Sequence, residues 1–353
     1  MLEINARLRD FKLFIDKLYK YRTISIIGME KNTGKTTTLN FLIQQLKGRK
    51  IGITSVGRDG EEEDIVTLTP KPKIYIDENT LIATSKSSFL RSDSTLKILQ
   101  VMDINTPLGP VIIGESIYSG FVEIAGPSIN TQIKAVIEKL KEFKCQHIIV
   151  DGALSKKSFA DPSITEASIL CTGAAFSEDV NVLVEDTLNV LNLFSLDAVE
   201  YNISKIYEDN MEDCRIAFIY GNNIKKSVLK TSISASKEII SNFNKDLDFV
   251  FIKGAFTNNL VDDMIKSNLN LKSVTFVVED GTKLLLDKNR YTEFIYKGGK
   301  LKVKNNINII GISVNPTSPS GYVLDYNEFF NRLKEETDIP VFNVMDYALD
   351  VRK

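Results

Sequence analysis

The chain has 353 residues, 43% of them hydrophobic and 25% charged, with a formal net charge of −2. That length accommodates one large domain or two ordinary ones with a sizeable core, and the near-neutral charge gives no electrostatic reason to expect nucleic acid or an anionic membrane as partner. Cys145, Cys171 and Cys214 lie far apart with no C-x-x-C spacing, which argues against a disulfide framework or structural zinc site and for a reducing cytoplasm, and no apolar run approaches the ~18 residues of a membrane helix.

Met1 to Lys20 mixes Leu2, Leu8, Phe11, Phe14 and Ile15 with Glu3, Arg7, Arg9 and Asp10, an amphipathic helix too charged for a signal peptide. Tyr21 to Gly28 reads as a buried strand, and Leu39, Leu42, Ile43 and Leu46 have the spacing of a helix packed on a sheet. Between them runs Gly28-Met29-Glu30-Lys31-Asn32-Thr33-Gly34-Lys35-Thr36-Thr37. Strand, Gly-bounded turn and helix, in that order, form the context of a phosphate-binding loop. The loop amides and helix amino end, at Gly28, Asn32, Thr33, Gly34, Lys35, Thr36 and Thr37, would point N–H groups at a phosphate. Lys35 would reach the terminal phosphates and the Thr36 hydroxyl would ligate Mg²⁺. Five residues, not the usual four, separate Gly28 from Gly34; either Met29 stands at the first glycine position or the loop carries one extra residue.

Lys50 to Val56 predicts a second strand, running into Gly57-Arg58-Asp59-Gly60 and an acidic run. Asp59 at that strand end is placed to orient Mg²⁺ or a water, with a solvated turn as the plainer alternative. Pro70, Pro72, Pro107, Pro110 and Pro127 punctuate residues 69–127, which read as a β-rich insertion holding a short helix near Ser94 to Met102 and a hairpin turn at Ser119-Gly120. Such an insertion can carry partner or substrate contacts or be a tolerated extension. Ser128 to Phe143 returns to helical period. The strand His147 to Val150 then ends in Asp151-Gly152, a Walker-B-like pattern whose Asp would hold Mg²⁺. The polar loop 153–162 follows, where Lys156 and Lys157 are more simply solvent-facing than phosphate contacts. Ile164 to Ala175 and Val180 to Leu193 are expected to be helical.

Beyond it, strands are expected at Arg215–Tyr220, Asp248–Ile252, Ser273–Val278, Ile307–Val314 and Pro340–Val344. Helices are expected at Ser232–Phe243, Asn258–Ser267 and Asn327–Glu336, and a hairpin within Tyr291–Val303 at Lys297-Gly298-Gly299-Lys300. This alternation predicts an α/β fold, a doubly wound, mostly parallel sheet of P-loop NTPase type, as one domain over residues 1–353 with no convincing linker. Asn315-Pro316 opens a rigid polar loop suited to contacting a nucleotide base, or to setting a plain turn. No Asn-Lys-x-Asp guanine signature occurs, which leans toward ATP.

The segments 26–37, 53–62, 150–155 and 314–319 together resemble the P-loop subunit of the lysine 5,6-aminomutase reactivase, a family of amino-acid fermentation. The resemblance implies an ATP- and Mg²⁺-dependent, chaperone-like protein working with a second reactivase subunit. Its partner would be an adenosylcobalamin-dependent aminomutase whose damaged cofactor it helps release. Under it Lys35 and the loop amides bind phosphate, Thr36 and Asp151 hold Mg²⁺, and Asp59 orients water. A small-molecule kinase or ATP-dependent ligase of P-loop fold is the alternative, and a non-hydrolytic nucleotide-binding scaffold a further one.

Overall fold

The computed structural model describes residues 2–57, 74–152, 164–229 and 235–348. Asp59, Lys156, Lys157, the rest of loop 153–162, and Pro70 and Pro72 lie outside them. The described chain divides into two compact units, residues 1–184 with 309–353, and residues 185–308. The sequence reads as one domain because no linker marks either boundary: one falls inside a helix at 184–185 and the other directly before a strand at 308–309.

The first unit opens with α1 (Leu2–Leu18), β1 (Thr23–Gly28), α2 (Lys35–Gln45), β2 (Ile51–Ser55), β3 (Ile74–Ile76) and β4 (Leu81–Ser85). It continues through α3 (Lys86–Leu90), β5 (Leu96–Thr106), β6 (Gly109–Ser116), β7 (Gly120–Val122), α4 (Asn130–Glu142), β8 (His147–Asp151), β9 (Ala167–Gly173) and the start of α5 (Val180–Phe194). The second unit holds α6 (Tyr201–Asn210), β10 (Ile216–Tyr220), β11 (Asn223–Lys226), α7 (Ala235–Asn242), β12 (Phe249–Ile252) and β13 (Phe256–Thr257). There follow α8 (Asn258–Lys266), β14 (Thr275–Val278), β15 (Leu284–Leu285), α9 (Lys288–Tyr296) and β16 (Lys300–Val303). The chain then returns to the first unit with β17 (Ile309–Asn315), α10 (Tyr326–Glu336), β18 (Val341–Phe342) and α11 (Val344–Ala348).

The fold is mixed α/β. A nine-stranded sheet runs β18-β17-β9-β1-β8-β2-β4-β6-β5, parallel from β18 to β4 and antiparallel through β6 and β5. Successive strand residues face opposite sides: Ile149 of β8 joins one core with Leu39, Leu42 and Ile43 of α2 and Leu46 just after it. Its neighbours Ile148 and Val150 join another with Ile133, Val136, Ile137 and Leu140 of α4, so helices cover both faces. Each such buried aliphatic side chain stabilises by about 1.5–3 kcal/mol. This stripe, rather than capping, anchors α2, because Gly34 at its N-cap supplies no side-chain hydrogen bond.

In the second unit a five-stranded sheet, β11-β10-β12-β14-β16, packs α7, α8 and α9 on one face through Phe256, Phe276 and Phe294. Their rings meet edge-on at 5.6–5.7 Å, a favoured aromatic geometry. α6 lies on the other face through Tyr207.

Several sequence expectations give way here. Within residues 69–127, β4, β6 and β5 extend the main sheet rather than forming a separate β-rich insertion. The helix expected at Ser94–Met102 is the strand β5; its register against β6 shifts between Ile98 and Gln100 and again after Val101, which breaks the two-residue alternation that signals a strand. Gly120 starts β7, paired with β3, and the hairpin turn lies instead at Pro107-Leu108. The helix expected at Ile164–Ala175 is β9, seven residues buried throughout, and a strand buried on both faces reads as a continuous apolar run without period. Lys297-Gly298-Gly299 stops α9: Gly298 at φ +87° and Gly299 donate to the Ile295 and Phe294 carbonyls at 2.8 and 2.9 Å, a glycine C-cap rather than a hairpin turn.

His147, at the start of β8, donates Nδ1–H to the Tyr21 carbonyl at 3.0 Å and has Arg49 Nη1 3.4 Å from its ring. Burial, partly opposed by that hydrogen bond and aided by Arg49, lowers its pKa below 6.5. The folded imidazole therefore stays neutral where the unfolded one takes a proton. Stability from this group is full above the ordinary histidine value and is lost as pH falls below it. His147→Gln is expected to lose less stability than the native chain between about pH 7 and about pH 5, measured by urea denaturation at each pH.

Candidate functional site

β1 carries only buried residues up to Gly28, and Met29 N still donates to the Cys171 carbonyl of β9 at 3.0 Å. Met29 thus continues the sheet, and the turn proper runs from Glu30 to Gly34. Asn32 at φ +59° and Gly34 at φ +88° flank Thr33 with left-handed backbone, an arrangement that turns successive N–H groups toward one concave side. Gly34 then opens α2, its carbonyl accepting from Thr38 N at 2.9 Å.

Lys35 folds back over this turn. Its Nζ donates to the Glu30 carbonyl at 2.8 Å, and Thr33 Oγ1 donates to the same oxygen at 2.9 Å. A Cβ on Gly28 would come 2.5 Å from Lys35 Nζ and 2.7 Å from Thr33 Oγ1, so the glycine makes room for the lysine. Burial lowers the Lys35 pKa, opposed by the Asp151 and Glu30 carboxylates. A half-buried ammonium at a helix amino end is a cation prepared for an anion.

Neighbouring strands bring the other groups to this edge. Asp151 ends β8, opposite Ile26 of β1 and Ser55 of β2; its carbonyl accepts from Val56 N at 2.9 Å, and Gly152 N donates to the Ile26 carbonyl at 2.9 Å. Thr36, half-buried, stands in the first turn of α2, and Thr37 beside it is exposed. Asn315 ends β17 opposite Gly173 of β9. Its Nδ2 donates to the Asn32 carbonyl at 2.9 Å and its Oδ1 accepts from Thr317 N at 3.2 Å. Pro316, half-buried, gives its carbonyl to Leu324 N at 2.8 Å. Under the turn, Thr38 Oγ1 lies 2.8 Å from Ser313 Oγ and 3.5 Å from Cys171 Sγ. Burial pushes the Cys171 thiol up to about 11, so it is a neutral packing group.

Gly28, Asn32, Thr33, Gly34, Lys35, Thr36, Thr37, Asp151, Asn315 and Pro316 thus lie at the carboxyl ends of the strands of one sheet or in the adjoining turn and helix, where open α/β sheets bind ligands. Asp59 lies outside the described residues. Sequence reasoning missed the Glu30 carbonyl, Cys171, Gly173 and Ser313, which come to the turn through the order of β1, β9 and β17 and carry no local pattern. Among the described residues no group of three or more His, Cys, Asp or Glu side chains could hold a metal ion, and none of the helices is long and apolar enough to cross a membrane. Comparison with protein-family models, with curated proteins and with solved structures finds no match to this chain.

Proposed function

We propose that this edge is a P-loop that binds Mg-ATP, and that the chain is the ATP-binding subunit of a reactivase for an adenosylcobalamin-dependent lysine 5,6-aminomutase. One observation carries the nucleotide reading: the Lys35 ammonium is held at the amino end of α2 against a turn with two left-handed residues, beside the Asp151 carboxylate of the adjacent strand. The reactivase role rests on the resemblance of segments 26–37, 53–62, 150–155 and 314–319. The donors suit Mg²⁺, which takes oxygen ligands from one or two carboxylates, substrate phosphates and water. Asp151 and the Thr36 hydroxyl would hold it, and it would neutralise charge on the β- and γ-phosphates. The turn amides and Lys35 bind and orient the phosphates. Hydrolysis, with a second subunit present, then drives the change that loosens the mutase around damaged cobalamin, which the mutase holds.

The test is recovery of inactivated aminomutase with ATP, Mg²⁺ and fresh adenosylcobalamin, comparing the native chain with Lys35→Ala. Recovery that is equal for the two, or absent for both, would sink the proposal.

A pH dependence follows from burial of Lys35. A bound anion raises the lysine pKa again, so affinity is full below the lowered free value and falls as pH rises through it, still short of the ordinary lysine range. Binding in that window takes up protons. Lys35→Arg is expected to lose this alkaline limb, because guanidinium stays charged. Calorimetry in two buffers of different ionisation enthalpy measures the proton uptake.

A further inference from the structure

Asn315 belongs to a strand that reaches the phosphate turn from the far side of β9, and both ends of its amide are already engaged. The nitrogen donates to Asn32 O at 2.9 Å, and the oxygen accepts from Thr317 N at 3.2 Å. Its Cβ would lie 3.2 Å from a Cβ placed on Gly34, so the side chain also packs on the residue that opens α2. Its own backbone is fixed in turn, since Asn315 O accepts from Ala174 N at 3.0 Å. The amide therefore links the ends of β9 and β17 to the two left-handed residues of the turn.

From this geometry we infer that Asn315 is a positioning residue for the phosphate-binding turn rather than a contact to the nucleotide base. The inference rests on the nucleotide reading above. A trans peptide points its C=O and the next N–H in opposite directions. With the Asn32 carbonyl drawn to Asn315, the Thr33 N–H is turned the other way. The hydrogen bond also removes from the turn a carbonyl whose lone pairs would repel a phosphate oxygen. Asn32 holds φ +59°, which costs a non-glycine residue free energy unless its surroundings fix it, and Asn315 supplies that restraint. Reading a base would have to use the second N–H and second lone pair of an amide whose orientation the turn and Thr317 already fix.

The experiment measures binding of Mg-ATP and of Mg-tripolyphosphate, which has no base, to the native chain, Asn315→Asp and Asn315→Ala. Thermal melting of each apo protein is recorded alongside. In Asn315→Asp a carboxylate oxygen meets the Asn32 carbonyl where the amide nitrogen donated. Losing that bond and leaving the acceptor unpaired weakens binding about tenfold, and the same factor is expected for both ligands. Asn315→Ala is expected to weaken both, by less. Weakened ATP binding with tripolyphosphate unchanged would make Asn315 a base contact and overturn the inference. So would a lowered melting temperature with both affinities intact, or a native chain that binds ATP but no tripolyphosphate. A native chain that binds neither ligand overturns the nucleotide reading itself.

Discussion

On the nucleotide reading proposed above, Lys35→Ala is expected to weaken Mg-ATP binding by one to two orders of magnitude while leaving the ligand-free fold at least as stable. A hydrogen bond to a charged group contributes about 1.5–3 kcal/mol, and Lys35 holds its ammonium against the turn through the Glu30 carbonyl. The opposite expectation for the free protein follows from burial, which penalises the ammonium in the fold. The Glu30 carbonyl keeps a donor in Thr33 Oγ1, so the substitution leaves no orphaned acceptor there. ATP at a hundred times the native Kd would then stabilise the native chain by about 2.7 kcal/mol, and a hundredfold weaker variant at the same concentration would keep about 0.4 kcal/mol. Calorimetric titration and thermal melting with and without ligand read both quantities. An unchanged ligand-induced shift would remove Lys35 from the phosphate site.

How much of this was legible in the sequence depends on how local each signal is. Gly28, Gly34, Lys35 and Thr36 lie within one strand-turn-helix unit, whose apolar spacing survives in a single chain segment. Asp151 was legible because an apolar strand ended on it. The placement of Asp151 next to β1, by contrast, is a matter of sheet order, and so are the contacts of Asn315 with Asn32 and of Met29 with Cys171. β9 shows the same limit from the side of secondary structure. It is the strand that joins the turn to β17, yet burial on both faces left it no alternation to separate it from a buried helix. β5 failed for the reverse reason, since register shifts interrupt an alternation that was otherwise there. The division into two units has no linker signal, because α5 crosses one boundary without a break and β17 begins at the other.

Gly173→Ala is expected to be strongly damaging, costing about 2–6 kcal/mol. Two effects add: the backbone there holds φ +150°, and a Cβ would collide with the Asn315 carbonyl oxygen and lie 2.7 and 2.9 Å from Asn315 C and N. Backbone strain and overpacking are each worth about 1–3 kcal/mol, and main-chain atoms cannot swing aside as a flexible side chain would. Gly254→Ala isolates the first effect, because its φ is +136° with nothing within 4 Å of an added Cβ. It is expected to cost about 1–3 kcal/mol. Urea denaturation of the two variants measures the difference, and equal losses would refute the clash. Relief of the clash can come only by parting β9 from β17 at Asn315, the residue that restrains Asn32. On the nucleotide reading proposed above, Gly173→Ala is therefore expected to lower Mg-ATP affinity even at temperatures where the chain remains folded, whereas Gly254→Ala leaves it unchanged.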